Sequence, residues 1–178
     1  MLWTRVESLT PKSKHFSGIV QNVTAPLSIS ADRSHTCAVL DGGRAVCFGV
    51  GTNGRLGTGS TSNVGDSPAN DLSNGLVQLP EERTAIYISP GDLHTCALLA
   101  DGSAVRFGFG ASGRLGTEAT TPVGDGPGNG LSNGIVQLPA GRTAVSISAG
   151  NAHTCAVMDD GNAVCFGVGS LGRLGTEA

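Results

Sequence analysis

Short apolar runs recur along this chain and are separated by glycine, asparagine and proline. Towards the C-terminus Val145 and Ile147 alternate with small polar residues, and the runs 153–158 and 163–166 flank the tripeptide DDG. A further run covers residues 135–138. Alternation and short runs bounded by turn-forming residues are typical of β-strands. No segment sustains apolar residues at i, i+3, i+4 and i+7, so we expect few helices.

This pattern occurs three times. HTCAV begins at His35 and at His153, and HTCAL begins at His94, with a constant spacing of 59 residues. Four short strands in each copy predict one four-stranded antiparallel sheet per repeat. Such sheets, repeated at this length, favour an all-β fold in which they are about three blades of a partial β-propeller.

The copies also divide the chain into segments. Residues 1–17 have no counterpart elsewhere and are left unassigned, whereas the repeats occupy 18–178. The repeats are repeat one at 25–83, repeat two at 84–142 and an incomplete repeat three at 143–178.

One turn in each repeat predicts the pairing of its two flanking strands. The third turn position is always glycine, at Gly43, Gly102 and Gly161. This suits a three-residue loop closed by a residue at positive φ. Such a loop places Cys37 opposite Cys47 and Cys155 opposite Cys165, on one face of each hairpin. A two-residue turn would instead put the paired cysteines on opposite faces.

The chain has five cysteines, and none has C-x-x-C spacing, which disfavours a zinc knuckle. Both cross-strand pairs are candidate disulfides if the compartment is oxidising. In repeat two Arg106 stands where the partner cysteine would be, so Cys96 is alone. Without a secretion signal we favour small buried thiols, with the two disulfides as the alternative.

Composition and charge exclude several function classes. The net charge is −3 and charged residues are sparse, which argues against a nucleic-acid or anionic-membrane surface. No apolar run reaches the length of a membrane span, and the first residues lack the apolar segment of a secretion signal. The default expectation is a cytoplasmic protein. The 28 glycines and few aromatic residues again favour a β-fold with many tight turns.

The string ISAGNAHTCAVMDDGNAVCFGVGSLGRLG resembles the regulator of chromosome condensation repeat, and the resemblance covers residues 25–178. It implies a β-propeller, usually seven-bladed, that acts as a protein-interaction or scaffold module or as a guanine-nucleotide exchange factor. The implied partner is a protein, for example a small GTPase or another acidic surface, and no enzyme activity or cofactor is implied. Three repeats cannot close a seven-bladed ring. We therefore expect a fragment of a longer propeller, with a three-bladed assembly completed by oligomerisation as the alternative.

Two departures from this family pattern recur in every repeat. The usual tryptophan is phenylalanine, at Phe48, Phe107 and Phe166. The usual glutamine is arginine, at Arg55, Arg114 and Arg173. These arginines are candidate partner-binding residues on one rim. The alternative, which we favour, is a turn-stabilising role in which each arginine bonds neighbouring carbonyls or an aspartate of the next blade.

Glycines in G-x-G-x-x-G spacing raise a nucleotide-binding hypothesis. A dinucleotide fingerprint needs a helix after the glycines, but RLGTGSTSNVGDSPAND will not form one. We therefore interpret these residues as structural turn glycines: Gly49, Gly51, Gly54, Gly108, Gly110, Gly113, Gly167, Gly169 and Gly172. A nucleotide-dependent enzyme remains the weaker alternative, beside a purely structural or decaying repeat without a partner.

The repeated histidines His35, His94 and His153 are the other candidate constellation. Equivalent blade positions converge towards a propeller axis, and imidazole is a good zinc or copper ligand. Adjacent blades would hold the rings too far apart for metal–nitrogen bonds. We expect instead that each histidine satisfies backbone groups on an inner strand of its own blade, so that no metal site forms.

Overall fold

Three antiparallel sheets make up the computed structural model, which describes residues 28–81, 83–117 and 120–175. The unassigned segment 1–17 and the start of the repeats before residue 28 lie outside the described residues. Sheet 1 contains β1 (Ser28–Ala31), β2 (His35–Val39) and β3 (Ala45–Gly49). Sheet 2 contains β4 (Ala85–Pro90), β5 (His94–Leu99) and β6 (Ala104–Gly108). Sheet 3 contains β7 (Ala144–Ala149), β8 (His153–Met158) and β9 (Ala163–Gly167).

Helical structure in the described part of the chain is confined to short 3₁₀ turns, as the lack of helical periodicity predicts. They are Asp41–Gly43, Thr52–Gly54, Pro68–Asn70, Leu72–Gly75, Ala111–Gly113, Leu131–Gly134 and Ser170–Gly172. No helix in these ranges is long and apolar enough to cross a membrane.

The fourth strand predicted at residues 135–138 is wrong as a strand. Residues 135–138 contribute only a single bridge, between Ile135 and Val105, and the Val136 N–H donates to Ala104 O at 2.9 Å. The Leu138 N–H then donates back to Val136 O, which bends the chain away from the sheet. Pro139 follows and has no N–H to continue a ladder. Each described sheet therefore has three strands.

The hairpins have the register that a three-residue loop predicts. In sheet 3 the Met158 N–H donates to Asn162 O at 2.8 Å, which leaves three residues in the loop. Gly161 closes this loop at φ 84°, where a side chain would be strained. Cys155 lies opposite Cys165, and the same loop in sheet 1 pairs Cys37 with Cys47.

Both predicted cysteine pairs are joined as disulfides in the structure, where the sequence analysis favoured free thiols. The Cα atoms are 4.1 Å apart in each pair, because directly opposite residues of an antiparallel ladder face each other closely. Cys96 is the remaining cysteine and is buried as a free thiol. Burial raises the pKa of this thiol to about 11, so it stays protonated at neutral pH.

The core lies between consecutive sheets, which pack as blades. Each sheet has a trailing face towards the next sheet and a leading face towards the preceding one. Between sheets 1 and 2, Cys37, Val39 and Ala45 of the trailing face pack with Ile88 and Leu99 of the leading face, all buried. Burying an aliphatic side chain of this size contributes about 1.5–3 kcal/mol.

Arg106 interrupts this apolar arrangement between sheets 2 and 3. It lies opposite Cys96 in the register and is fully buried on the trailing face of sheet 2. Its guanidinium stacks 3.7 Å from the centroid of the Phe166 ring, and its Nη1 donates to Arg114 O at 2.5 Å. Nε and Nη2 have no hydrogen-bond partner, and burial lowers the pKa of Arg106 to about 9.

Replacing Arg106 by cysteine should produce a third cross-strand disulfide. Cys96 and residue 106 occupy the register positions that the two disulfides occupy in the other sheets. We expect Arg106→Cys to lose the buried unpaired charge and to raise the free energy of unfolding by about 3 kcal/mol. Non-reducing mass spectrometry should find two disulfides in the parent chain and three in the variant.

Arg106→Ser is the matched control, because it removes the charge but cannot form the bond. A stability gain that is equal in both variants would show that charge removal alone acts. A free Cys96 in Arg106→Cys would contradict the register on which the prediction rests.

Candidate functional site

The repeated histidines connect consecutive blades through threonine hydroxyls. His35 Nε2 lies 2.7 Å from Thr95 Oγ1, and Thr95 Oγ1 donates to Arg55 O, also at 2.7 Å. Because the hydroxyl has one proton and gives it to the carbonyl, the His35 Nε2–H must donate to the hydroxyl oxygen. All three groups are buried, so this polar chain fixes how sheet 2 sits against sheet 1.

The same contact recurs one blade further on. His94 Nε2 lies 3.0 Å from Thr154 Oγ1, and the Cys96 sulfur lies 3.4 Å from the same hydroxyl. His153, the third member, is half-buried, and its Nε2 has no hydrogen-bond partner among the described residues. His35 and His94 thus contact a threonine side chain of the next blade, whereas the sequence analysis expected bonds to backbone groups of their own blade. No three His, Cys, Asp or Glu side chains in the described ranges are grouped to hold a metal ion.

Arg55 also connects sheets 1 and 2, but at the turn that follows β3. Its guanidinium donates to Thr52 O, Thr52 Oγ1, Ser34 Oγ and, across the blade boundary, Asp92 O, at 2.6 to 3.0 Å. It is only 5 % exposed. These are the contacts of a turn-stabilising arginine, and a partner could reach the guanidinium only by breaking them.

The two equivalent arginines differ in burial. Arg114 is buried, donates from Nε to Ala111 O at 2.9 Å and lies over the Phe109 ring at 4.9 Å from its centroid. Arg173 is half-buried and has no hydrogen bond to a described residue. Of the three arginines considered for partner binding in the sequence analysis, Arg55 and Arg114 are therefore buried in the fold.

Close packing accounts for the glycines of the G-x-G-x-x-G string. A Cβ on Gly51 would lie 1.8 Å from Ser62 O, and one on Gly54 would lie 2.5 Å from the Gly124 backbone in the next repeat. Gly49 adopts φ 112° and packs on His35. The following residues form a single 3₁₀ turn, Thr52–Gly54, which offers no helix terminus to a phosphate.

The tips of these turns form a surface that does not take part in the contacts between blades. We call the surface made by Thr52–Gly54, Ala111–Gly113 and Ser170–Gly172 the turn face. Each tip has a non-glycine residue at positive φ: Asn53 at 62°, Ser112 at 64° and Leu171 at 64°. Leu171 is 90 % exposed. Sequence reasoning missed this residue, although its alignment with Asn53 was a signal that could have found it.

The fold and these contacts define a partial β-propeller of repeated blades. The family described as "Regulator of chromosome condensation (RCC1) repeat" matches residues 144–173. The human "Regulator of chromosome condensation" is 30% identical over 142 residues, which is 80% of this chain and 30% of that protein. The chain is a member of this repeat family.

Other similar proteins agree on the repeat and differ in their overall length. The human "Probable E3 ubiquitin-protein ligase HERC6" is 26% identical over 82% of this chain and 13% of its own. The crystal structure of Prp20p from Saccharomyces cerevisiae superposes with a TM-score of 0.61 at 18% identity, covering 85% of this chain and 34% of that one. The chain thus spans about a third or less of the relatives that it matches.

Acid should weaken the blade interfaces through the two buried histidines. Burial, with the Arg55 charge adding to it, lowers the pKa of His35 to about 4. Burial, followed by the Arg106 and Arg114 charges, lowers the pKa of His94 to about 3. Below pH 6.5 the unfolded chain takes up protons that the folded chain refuses, so stability is lost as the pH falls.

Between pH 7 and pH 5 we expect each histidine to cost about 2 kcal/mol of unfolding free energy, measured by urea denaturation. The variant His94→Gln, which retains an N–H donor towards Thr154, should lose about half of this pH dependence. An unchanged slope in His94→Gln would contradict the assignment.

Proposed function

We propose that this chain is a protein-interaction module without catalytic activity, and that the turn face carries its partner contacts. The buried histidines, arginines and glycines join one blade to the next. The tip positions, in contrast, differ between blades while the backbone conformation stays the same. A constant scaffold with variable loops is the usual arrangement of a binding surface.

The observation that carries this proposal is the conformation of Leu171. A leucine at φ 64° is strained, whereas asparagine tolerates this conformation well and stands at the equivalent position in repeat one. Leucine also gains nothing from burial here, because it is exposed. Since no contact inside the fold compensates for the strain at Leu171, the strain supports a role in binding. An exposed apolar side chain also suits contact with a protein.

A small GTPase is the partner class that we propose to test first, with exchange or scaffolding as its role. Prp20p supports this choice because its crystal structure was described together with its binding to Gsp1p and histones. Outside the turn face, the loops that pack on its first turn carry the exposed Asp66 and the half-buried Asp125, each held by asparagine side chains. These carboxylates favour a partner patch with basic residues over the acidic one expected from the arginines.

Leu171→Asn should separate binding from folding. We expect the variant to be as stable as the parent chain or more so, because asparagine suits the left-handed conformation. Affinity for the partner should fall at least about tenfold through loss of an apolar contact. Calorimetric titrations with a purified small GTPase, nucleotide-free and GDP-bound, and with core histones would measure it.

The matched control is Ile86→Asn, which removes an exposed aliphatic side chain from β4 and leaves the turn face intact. It should bind as the parent chain does. If none of the probes binds the parent chain, or if Leu171→Asn binds unchanged, the proposal fails.

A further inference from the structure

A small polar pocket lies in the loop that follows the first turn of the turn face, within residues 58–74. Its volume is about 370 Å³, near the lower end of the range of about 300–1,000 Å³ that small-molecule sites cover. Val64 and Ala69 contribute apolar groups, and none of the described lining residues is charged. The rest of the lining consists of hydroxyl and amide side chains: Thr58, Ser60, Ser62, Asn63, Asn70 and Asn74.

The carboxylate of Asp66 determines how two of these amides are oriented. Asn63 Nδ2 donates to Asp66 Oδ2 at 3.0 Å, and Asn70 Nδ2 donates to Asp66 Oδ1 at 3.3 Å. These bonds lower the pKa of Asp66, so at neutral pH its carboxylate is ionised and only accepts. Asn63 Oδ1 also accepts from the Gly51 N–H at 3.1 Å. Both amides are thus held in place before a ligand arrives, which lowers the entropy cost of binding.

Several hydrogen-bonding groups of the lining are not used by the described part of the protein. Asn74 Nδ2 donates to Ala69 O at 3.2 Å, but the side-chain oxygens of Asn70 and Asn74 accept no hydrogen bond from a described residue. The hydroxyls of Thr58 and Ser62 likewise have no partner among the described residues. A ligand can therefore donate to the amide oxygens and both donate to and accept from the hydroxyls.

The amide at position 63 belongs to repeat one and is not required by the blade. In repeat two Pro122 stands at the position of Asn63 and has no side-chain amide. Asp125 is held there by Asn129 alone among the described side chains. The equivalent turn Ala111–Gly113 nevertheless forms, with the same backbone conformation at its tip. A polar side chain that the fold does not need is available for a ligand.

We propose that this pocket binds a neutral saccharide, either a mono- or disaccharide or the end of a glycan chain. A charged ligand would meet no opposite charge on the described lining side chains, and an apolar ligand would leave the amides without hydrogen bonds. A sugar ring matches the lining because its hydroxyls both donate and accept, while its C–H groups can contact Val64 and Ala69. This site is separate from the protein contacts proposed for the turn face.

Heteronuclear NMR titrations of the isotope-labelled parent chain with glucose, galactose, mannose and N-acetylglucosamine test the proposal. Each sugar is used free and as its methyl glycoside, which distinguishes a site for free sugars from a site for a residue of a glycan chain. We expect at least one of these probes to shift the signals of the Gly51 N–H and of the Asn63 and Asn70 side-chain amides, and to do so saturably.

Asn70→Ala and its matched control Asn129→Ala separate the pocket from the fold of the loops. Both variants lose an amide that holds an aspartate, but only Asn70 lines this pocket. Asn70→Ala should weaken sugar binding at least about tenfold, whereas Asn129→Ala should bind as the parent chain does. Ser62→Ala removes an exposed hydroxyl without a described partner, so it should fold normally and weaken binding about threefold or more.

Three results would overturn the proposal. The first is a folded parent chain whose signals are shifted by none of the sugars. The second is binding that shifts signals elsewhere in the chain and leaves those of the pocket unchanged. The third is binding that Ser62→Ala and a folded Asn70→Ala leave unchanged, or that Asn129→Ala weakens equally. Because no protein partner takes part in these titrations, their failure would leave the turn-face proposal unaffected.

Discussion

The contact between consecutive sheets is the interaction on which the rest of this structure depends. A three-stranded sheet of this size has little stability alone, and here both of its faces are apolar. Val39 can be buried only if the next blade covers it, and Ile88 only if the preceding blade does. Two buried hydrogen bonds link His35 to Thr95 and Thr95 to the Arg55 carbonyl. Because hydrogen bonds depend on direction, they fix how the two sheets are placed relative to each other.

This constraint explains why residues that look functional in the sequence serve the frame instead. Histidine, arginine and glycine recur at constant spacing because each blade uses the same kind of contact with the next blade. The Arg55 guanidinium donates to Thr52 O in its own turn and to Asp92 O in the next blade. Gly54, which has no side chain, allows the backbone of the next repeat to approach closely. The proposed binding role then falls to positions that these contacts between blades do not use, of which Leu171 deviates most from what the backbone favours.

Much of the blade could be predicted from the sequence because the responsible interactions are local. The constant glycine at positions such as Gly161 determines loop length, and loop length determines that Cys155 faces Cys165. The fourth strand could not be predicted in the same way. Residues 135–138 have a strand-like pattern, but the bend at Leu138 and the proline that follows end the pairing after one bridge.

The candidate site was less predictable, since its decisive contacts cross from one repeat to the next. The sequence analysis favoured a carbonyl or an aspartate of the next blade as a partner of Arg55, but nothing near Arg55 in the sequence identifies the Asp92 carbonyl as that acceptor. Arg106 shows the same limit. Its position opposite Cys96 could be read from the register, but its stacking on Phe166 of sheet 3 could not.

A double-mutant cycle on His35 and Thr95 tests most directly whether polar contacts between blades hold the structure in place. The cycle compares the parent chain with His35→Phe, Thr95→Val and the double variant by urea denaturation. We predict a favourable coupling energy of about 1 kcal/mol, typical of a buried hydrogen bond. Additive effects, with no coupling between the two sites, would contradict the account and leave apolar packing as the sole basis of the blade interface.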